Sequence, residues 1–441
     1  MNPHYLLVVS PLRKLKAVIL AAGEGKRLRP LTLTRPKAML PVGGKPILEH
    51  LVTNLKGCGI RDMILVVGYH EDLVMRHFTD GSPFGVKIEY VHQKKRKGTA
   101  SALNKTRDSV GDAPFLVVYG DLMINRSAIE SMLEKAEERA DAVLSSVPVE
   151  NPESYGVFKM RGDRVECIVE KPSREGAPSN LANAGVYILS PGVFRTIEKV
   201  GPSSRGELEL TDAITLLIKE GGKTVAVRLS QEEWMDVGYP WDLLRANERI
   251  LSETAMNVEG EVSEGATLRG KVGVAKGAEI LPGAYIEGPV LIGEGCKIGP
   301  NCHLRPNTCL GRGVKIGNAC EVKNSIVMDG SKVAHLSYLA DSIVGCNCNF
   351  GAGTIVANLR FDDGSVKMTV EDKRIDSSLR KLGVVIGDNV KTGINVSLMP
   401  GVKVGPNSWI GPSATIFDDV PPSTYVEARP PTKISPKGEV G

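Results

Sequence analysis

IGEGCKIGPNCHLRPNTCLGRGVKI, residues 292–316, decides the fold of the second half of this chain. Counting in sixes through it gives Ile292, Ile298, Leu304, Leu310 and Ile316. The count runs back through Ile286, Ile280, Val274 and Leu268 to Val262, and forward to Val322 and Met328. If roughly a third of residues are aliphatic or methionine, twelve such positions in a row arise by chance about once in several hundred thousand trials. The pattern is the hexapeptide repeat of a parallel β-helix. Each unit is a short strand plus a turn, the aliphatic residue points inward, and three units close one coil.

The register slips by one between Val322 and Val327, runs on to Val333 and Leu339, slips again to Val344, and continues to Phe350 and Val356. A second run holds Ile386, Thr392, Leu398, Val404, Ile410 and Ile416. Between them, residues 360–383 lose the repeat and read as a polar inserted loop; loops that interrupt a compact fold are often functional.

Residues 15–250 have a different period. KAVILAAG, DMILVVGY, VKIEYVHQ and FLVVYGD read as buried strands, and ILEHLVTNLKGCG and SAIESMLEKAEERAD as helices between them. Such alternation predicts an α/β, Rossmann-like domain with a mostly parallel sheet covered on both faces and ligands beyond the carboxyl strand ends. WDLLRANERILSE reads as the helix joining the halves. The expected organisation is an extension over 1–14, an α/β domain over 15–250, a β-helix over 251–425 and a tail over 426–441.

Bulk composition is that of an ordinary soluble protein. A net charge of +4 over 55 basic and 51 acidic residues gives no reason to expect nucleic acid as a partner. No segment reaches 18 consecutive apolar residues, so no membrane span is expected and the cytoplasm is the expected location. Six of the eight cysteines fall between Cys296 and Cys348. They read as small buried hydrophobes in a reducing compartment; Cys346 and Cys348 would lie on one side of a strand.

LAAGEGKRLRPLTLTRPKAMLPVGGKPIL follows the first strand directly. Gly23 and Gly25 would let backbone N–H groups approach a triphosphate, with Arg27 and Lys37 supplying positive charge. The stretch is neither GxGxxG nor GxxxxGK[ST], which counts against dinucleotide binding and P-loop chemistry. Asp121, Asp236 and the pair Glu170–Lys171 could each be read alone as a turn, a strand end or a surface ion pair.

The whole stretch resembles the signature of sugar-phosphate nucleotidylyltransferases, LAxGxGxRLxPLTxxxPKxxLPVxxKP. The resemblance extends through VHQKKRKGTASAL, VVYGDLMI, YGVFKM, IVEKP, LANAGVYIL, GELELTDAI and WMDVGYP. It implies a nucleotide site at Leu20, Ala21, Ala22, Gly23, Gly25, Tyr119 and Gly120, with Gln93, Gly98 and Thr99 against a pyrimidine. It also implies sugar contacts at Gly156, Glu170, Lys171 and Asn183, and Mg²⁺ held by Asp121 and Asp236. In that chemistry a sugar-1-phosphate oxygen attacks the α-phosphorus of UTP or dTTP and expels pyrophosphate. Charge neutralisation by Arg27, Lys37 and the metal replaces any need for a general base. Asp212, in ELTDAI, reads as a helix cap.

In the second half, Arg305 and Lys323 are one 18-residue coil apart and should stack at about 4.8 Å, an arrangement that an anion would relieve. VAHLSYLADSIVGCNCNFGAGTIVANLRFDDG resembles the acetyltransferase region of the bifunctional glucosamine-1-phosphate acetyltransferase/uridylyltransferase family, in its archaeal branch. That family folds here as a left-handed β-helix and assembles as a homotrimer. The resemblance makes His335 the base that deprotonates the amino sugar before it attacks acetyl-CoA, a role imidazole suits. Tyr338, Arg305 and Lys323 would hold the sugar phosphate, Asn349 and Asn358 the amino sugar, and Ala352 would face the thioester. Leu359 and Ile394 depart from the bacterial tyrosine and serine. Lys367, in the insertion, is the replacement basic group. Two alternatives stand beside this reading. One is a monofunctional nucleotidylyltransferase, for glucose-1-phosphate with UTP or dTTP or for mannose-1-phosphate with GTP, with a structural β-helix. The other is a non-enzymatic translation-factor subunit of the same architecture, against which the intact Arg27, Lys37, Asp121 and Asp236 speak.

Overall fold

The computed structural model describes residues 15–428 apart from 96, 137–139, 163 and 204–205. The expected extension over 1–14 and most of the tail over 426–441 lie outside the described residues. Contacts divide the described chain into two units. One comprises residues 15–25, 35–41 and 45–238, and the other residues 26–34, 42–44 and 239–428.

In the first unit, β1 (Ala17–Leu20) runs parallel between β2 (Asp62–Val67) and β4 (Phe115–Tyr119), and β3 (Lys87–His92) adds parallel to β2. Alternate side chains of β1 enter different cores. Ala17 and Ile19 pack with Leu48, Leu51 and Leu55 of α1 (Ile47–Gly57). Val18 packs with Leu103 of α2 (Thr99–Asn104) and with Leu210 and Ile214 of α3 (Leu210–Lys219). A strand buried on both faces must be apolar at every position, which is why AVIL shows no alternation.

The other half of the sheet is antiparallel. β9 (Leu181–Leu189) pairs antiparallel with β4, with β6 (Ala142–Pro148) and with β7 (Gly156–Arg161). β8 (Arg164–Glu170) pairs antiparallel with β7, and β10 (Thr224–Arg228) runs parallel to β6. The expectation of a mostly parallel sheet is therefore corrected to a mixed one. β7 and β8 follow so closely that no crossover helix fits between them, and a connection that short forces opposite directions. A separate ladder joins β5 (Leu122–Ile124) to β11 (Trp234–Asp236), placing Asp236 opposite Leu122. Asp212 lies in the first turn of α3, whose cap position is Glu209, so it acts on the helix dipole rather than as the cap.

The second unit begins its C-terminal stretch with α4 (Pro240–Glu253), closed at its start by the Asp242 carboxylate, which accepts the Tyr239 N–H at 2.8 Å. Three stacks of nine, eight and seven parallel strands follow. The register Val262↔Ile280↔Ile298↔Ile316 makes each coil 18 residues, and Ile316↔Val333↔Phe350 shortens the next two to 17. The one-residue slips in the sequence are these shortened coils, and they bring Val327 rather than Met328 into the inner column. Ile280, Ile298, Ile316 and Val333 are fully buried, each contributing about 1.5–3 kcal/mol relative to exposure. Corners between strands take left-handed backbone at Asn301, Asn307, Asn324, Asn347, Asn389 and Asn407, the conformation that asparagine tolerates best after glycine.

Two expectations are corrected here. Residues 360–383 are not an irregular polar loop: Lys367–Val370 and Lys373–Asp376 form an antiparallel hairpin. Its turn residues Glu371 and Asp372 are both left-handed, the two-residue connection whose twist matches its strands. Val366, Met368 and Val370 bury one face of it. Cys346 and Cys348 do not share a strand face. They flank left-handed Asn347 in a turn, which sends Cys348 into the core and leaves Cys346 half-buried. All eight cysteines are free thiols. Burial pushes Cys302, Cys309 and Cys348 up to about 12. Among the described residues no helix is long and apolar enough to cross a membrane.

Candidate functional sites

The first unit gathers three of the expected residues. Lys37, in the short turn Lys37–Met39, extends its ammonium to 2.7 Å from Asp121 Oδ2 and 3.3 Å from Asp236 Oδ1. Asp121 stands between β4 and β5, and Asp236 ends β11, so the β5–β11 ladder is what brings the two carboxylates together. The Lys37 side chain is only 7% exposed. Its stem lies against Gly25: a Cβ there would stand 2.7 Å from the Lys37 Cβ, and Gly25 has φ +74°. Gly23 instead faces open space. The two glycines therefore do different jobs, one making room for a lysine and one leaving room beside the chain.

Around this centre the expected residues form small local sets. Gln93 is buried and its amide donates to the Gly98 carbonyl at 3.1 Å. Gly98 has φ +102°, and any Cβ would strike the Leu208 carbonyl at 2.4 Å, so only glycine fits. The Thr99 hydroxyl accepts the Leu210 N–H at 2.9 Å, tying α2 to the start of α3. Ala21 and Ala22 are buried, Leu20 is half-buried, and Gly120 packs so closely that a Cβ would meet Ala21 Cβ at 2.8 Å. Glu170 lies over Gly156, its partner across the β7–β8 ladder. Lys171 is exposed with φ 44°, an unusual conformation for a lysine. Asn183 donates to the Tyr187 hydroxyl at 2.6 Å, which lies 3.1 Å from the Tyr119 hydroxyl. Burial pushes the Tyr119 phenol up to about 12, so it stays protonated. Tyr187 was not legible as a site residue, because it reads as one more apolar position of a buried strand.

Arg27 falls in the second unit, its guanidinium 5.1 Å over the ring of Tyr239, which stacks on Trp241.

On the β-helix, His335 ends the strand Lys332–His335, exposed and opposite Asn318 of the preceding coil. Leu336 beside it is 61% exposed with φ 50°. Arg305 and Lys323 follow the paired positions Leu304↔Val322, so they stack on successive coils as the spacing required. Glu321 Oε1 lies 2.9 Å from Arg305 Nη1, so part of the charge of the stacked pair is offset within the chain. Tyr338 pairs with Glu321 one coil on. Burial, then Glu321 and Asp341, raises its phenol above the ordinary value. Asn358 donates to Asp341, whose other oxygen accepts Asn324 at 2.7 Å. Sequence reasoning missed Glu321 and Asp341, because the coil register does not say which neighbour a side chain turns to.

Asn349 is exposed at the start of Asn349–Phe350, the strand stacked on that of His335 in the next coil, opposite Lys332. The Ala352 carbonyl accepts the Asn395 N–H at 2.8 Å, next to exposed Ile394. Lys367 lies on the hairpin, opposite Asp376. A groove of about 540 Å³ runs beside Tyr338, lined also by Tyr285, His303, Glu321, Leu336 and Ile355. Among the described residues no group of three or more histidine, cysteine or acidic side chains is arranged so that it could hold a metal ion.

A mixed α/β sheet with a lysine between two strand-end carboxylates, followed by a hexapeptide β-helix with an exposed histidine, defines a nucleotidyltransferase fused to a hexapeptide transferase. The Nucleotidyl transferase family matches residues 16–253. A GMPPB C-terminal domain matches residues 286–398, and six bacterial transferase hexapeptide repeats match residues 383–418. The chain is 47% identical over 422 residues to "Bifunctional protein GlmU" of Methanococcus maripaludis strain C7, covering 96% of this chain and 99% of that protein. It is 43% identical over 416 residues to the "Bifunctional sugar-1-phosphate nucleotidylyltransferase/acetyltransferase" of Sulfurisphaera tokodaii, covering 92% and 98%. A solved UDP-glucose pyrophosphorylase complexed with UDP-glucose superimposes with a TM-score of 0.50 at 26% identity, over 55% of this chain and all of that one. The chain belongs to the bifunctional GlmU family, enzymes that join a sugar-1-phosphate nucleotidylyltransferase to an acetyltransferase on a left-handed β-helix.

Proposed function

We propose that this chain carries out two consecutive steps of UDP-N-acetylglucosamine synthesis. The β-helix N-acetylates glucosamine-1-phosphate with acetyl-CoA, and the first unit then transfers a uridylyl group from UTP to the N-acetylated sugar phosphate. The observation that supports this most is likeness along almost the whole chain, through both halves, to proteins named bifunctional.

In the acetyl step His335 takes a proton from the sugar amine. The nitrogen attacks the thioester carbonyl carbon, the C–S bond breaks, and the thiolate leaves to be protonated as CoA. Arg305, Lys323, Lys367 and Tyr338 hold the sugar phosphate, Asn349 and Asn358 the sugar, and Ala352 faces the thioester. Asp341 fixes the orientation of the Asn358 amide, leaving its carbonyl oxygen for the substrate. Leu359 and Ile394 give this chain apolar contacts where bacterial relatives use polar ones.

In the uridylyl step a phosphate oxygen of the sugar phosphate bonds to the α-phosphorus, and the bond to the β-phosphate breaks to release pyrophosphate. Gln93, Gly98 and Thr99 face the base. Gly156, Glu170, Lys171 and Asn183 hold the sugar, while Arg27 and Lys37 neutralise the departing charge. Asp121 and Asp236 fit a magnesium ion: two hard oxygen donors already gathered about one cation, with further positions left to phosphates and water. Bound there, the ion supplies neutralisation of phosphate charge.

The same reading has the β-helix assemble as a trimer of 47.3 kDa chains in the cytoplasm. A matrix of glucosamine-, galactosamine-, glucose- and mannose-1-phosphate against UTP, dTTP and GTP, with and without acetyl-CoA, tests the substrate assignment. Pyrophosphate release with glucose-1-phosphate but no CoA release with any amino sugar would leave a monofunctional enzyme.

A further inference from the structure

We infer that Lys37 is a resident counter-cation which holds the magnesium seat and which metal binding must displace. The inference rests on Asp121 and Asp236 being the metal ligands. Its basis is the pair of distances from one ammonium to both carboxylates, 2.7 and 3.3 Å, in a side chain only 7% exposed. Two carboxylates drawn together on adjoining strand ends repel unless a cation lies between them. Lys37 provides that cation from within the chain, and so keeps the seat assembled.

A divalent ion taken up by the same two oxygens, Asp121 Oδ2 and Asp236 Oδ1, would need the space the ammonium fills. Two cations cannot share it, so metal entry and lysine exit are one event. The stem of Lys37 lies against Gly25 from Cβ to Cδ. A displaced ammonium therefore remains near the turn at Gly23 and Gly25, where a bound triphosphate offers it oxygens. The triphosphate thus receives the ammonium that the metal expels. The two ligands are thereby coupled, each binding more tightly in the presence of the other, by reciprocity to the same factor. Arginine would not serve at residue 37, because its planar fork is larger than a compact ammonium and prefers to grip one carboxylate bidentately.

The test is binding of Mn²⁺ to the full chain, read from the electron paramagnetic resonance signal of the free ion. It is made with and without a non-hydrolysable nucleoside triphosphate. In the unaltered chain Mn²⁺ is expected to bind weakly alone and at least 10-fold more tightly with the triphosphate. In Lys37→Met, Mn²⁺ alone is expected to bind about 10-fold more tightly than in the unaltered chain, and the enhancement by triphosphate is expected to shrink. Lys37→Gln, which keeps a hydrogen-bonding side chain, is expected to behave likewise, and near-UV circular dichroism confirms that both variants are folded. Unchanged or weaker Mn²⁺ binding in both variants overturns the inference. Asp121→Asn separates the two layers of the reading. If it weakens Mn²⁺ binding while the lysine variants change nothing, only the counter-cation role falls. If it too changes nothing, the metal assignment falls with it.

Discussion

Arg305 and Glu321, on adjacent coils of the β-helix, form an ion pair with Nη1 and Oε1 2.9 Å apart. Both side chains are more than a third exposed, so the pair adds little to stability, about 0–1 kcal/mol. Its consequence is electrostatic. Glu321 offsets the charge of Arg305, while Lys323 has no ion pair among the described residues. A phosphate binding there competes with Glu321 for the guanidinium.

Arg305→Ala and Lys323→Ala are each expected to raise the KM for glucosamine-1-phosphate in acetyl transfer by roughly 10- to 100-fold, the worth of a charge-assisted hydrogen bond. Glu321→Gln should lower that KM a few-fold, since the competitor loses its charge. Thermal melting of all three should stay close to that of the unaltered chain. A KM unmoved in Arg305→Ala removes the arginine from the phosphate site.

Asp121→Asn should abolish pyrophosphate release from UTP while CoA release continues near its normal rate. His335→Ala should do the reverse, with CoA release down by about 100-fold or more, the scale of a lost general base. Paired assays on one preparation of each variant check this. Loss of both activities in either variant would mean that the two sites do not work independently.

The column from Val262 to Val322 was legible because one inward aliphatic residue per strand repeats at a fixed interval, so each residue predicts the next. The mixed sheet was not, because strand direction depends on connections such as that between Arg161 and Arg164 and leaves no mark on the strands' own apolar runs. The hairpin left a trace in Val366, Met368 and Val370, an alternation of two hidden among the charges of the insertion. Charged site residues at strand ends could be placed from local motifs. Partners such as Glu321 and Asp341 could not, since the repeat tells which coil a residue stands on but not which neighbour 16 or 17 positions away its side chain meets. That Gly25 makes room for the stem of Lys37 is a matter of packing, which no motif encodes.

Ile316 is fully buried in the column of the β-helix core. Ile316→Ala is expected to destabilise the chain by about 2–5 kcal/mol, since the rigid stack above and below can relax only in part. Denaturant midpoints at unchanged slope measure the effect. A shift under about 0.5 kcal/mol would be of the size seen for surface sites and would contradict the packing.

Alkaline pH should destabilise the fold through the buried thiols. Their folded pKa values of about 12 at Cys302, Cys309 and Cys348 lie above the unfolded value of about 8.5. Their contribution is fully present below pH of about 8.5, where both states are protonated, and is lost as pH rises towards 12 because only the unfolded chain releases protons. The slope is roughly 1.4 kcal/mol per pH unit for each such thiol. Denaturant midpoints at pH 8 and pH 10 should fall accordingly, and Cys309→Ala should show a shallower decline. An equal decline in that variant would assign the loss to other groups.

The most direct measurement supplies the purified chain with radiolabelled acetyl-CoA, glucosamine-1-phosphate, UTP and Mg²⁺ in one vessel, and follows the acetyl label by chromatography. Label passing first into N-acetylglucosamine-1-phosphate and then into UDP-N-acetylglucosamine, with no second protein added, is the predicted result. Label that never leaves acetyl-CoA, while UTP is still consumed with an unacetylated sugar phosphate, would contradict the claim that one chain performs both steps.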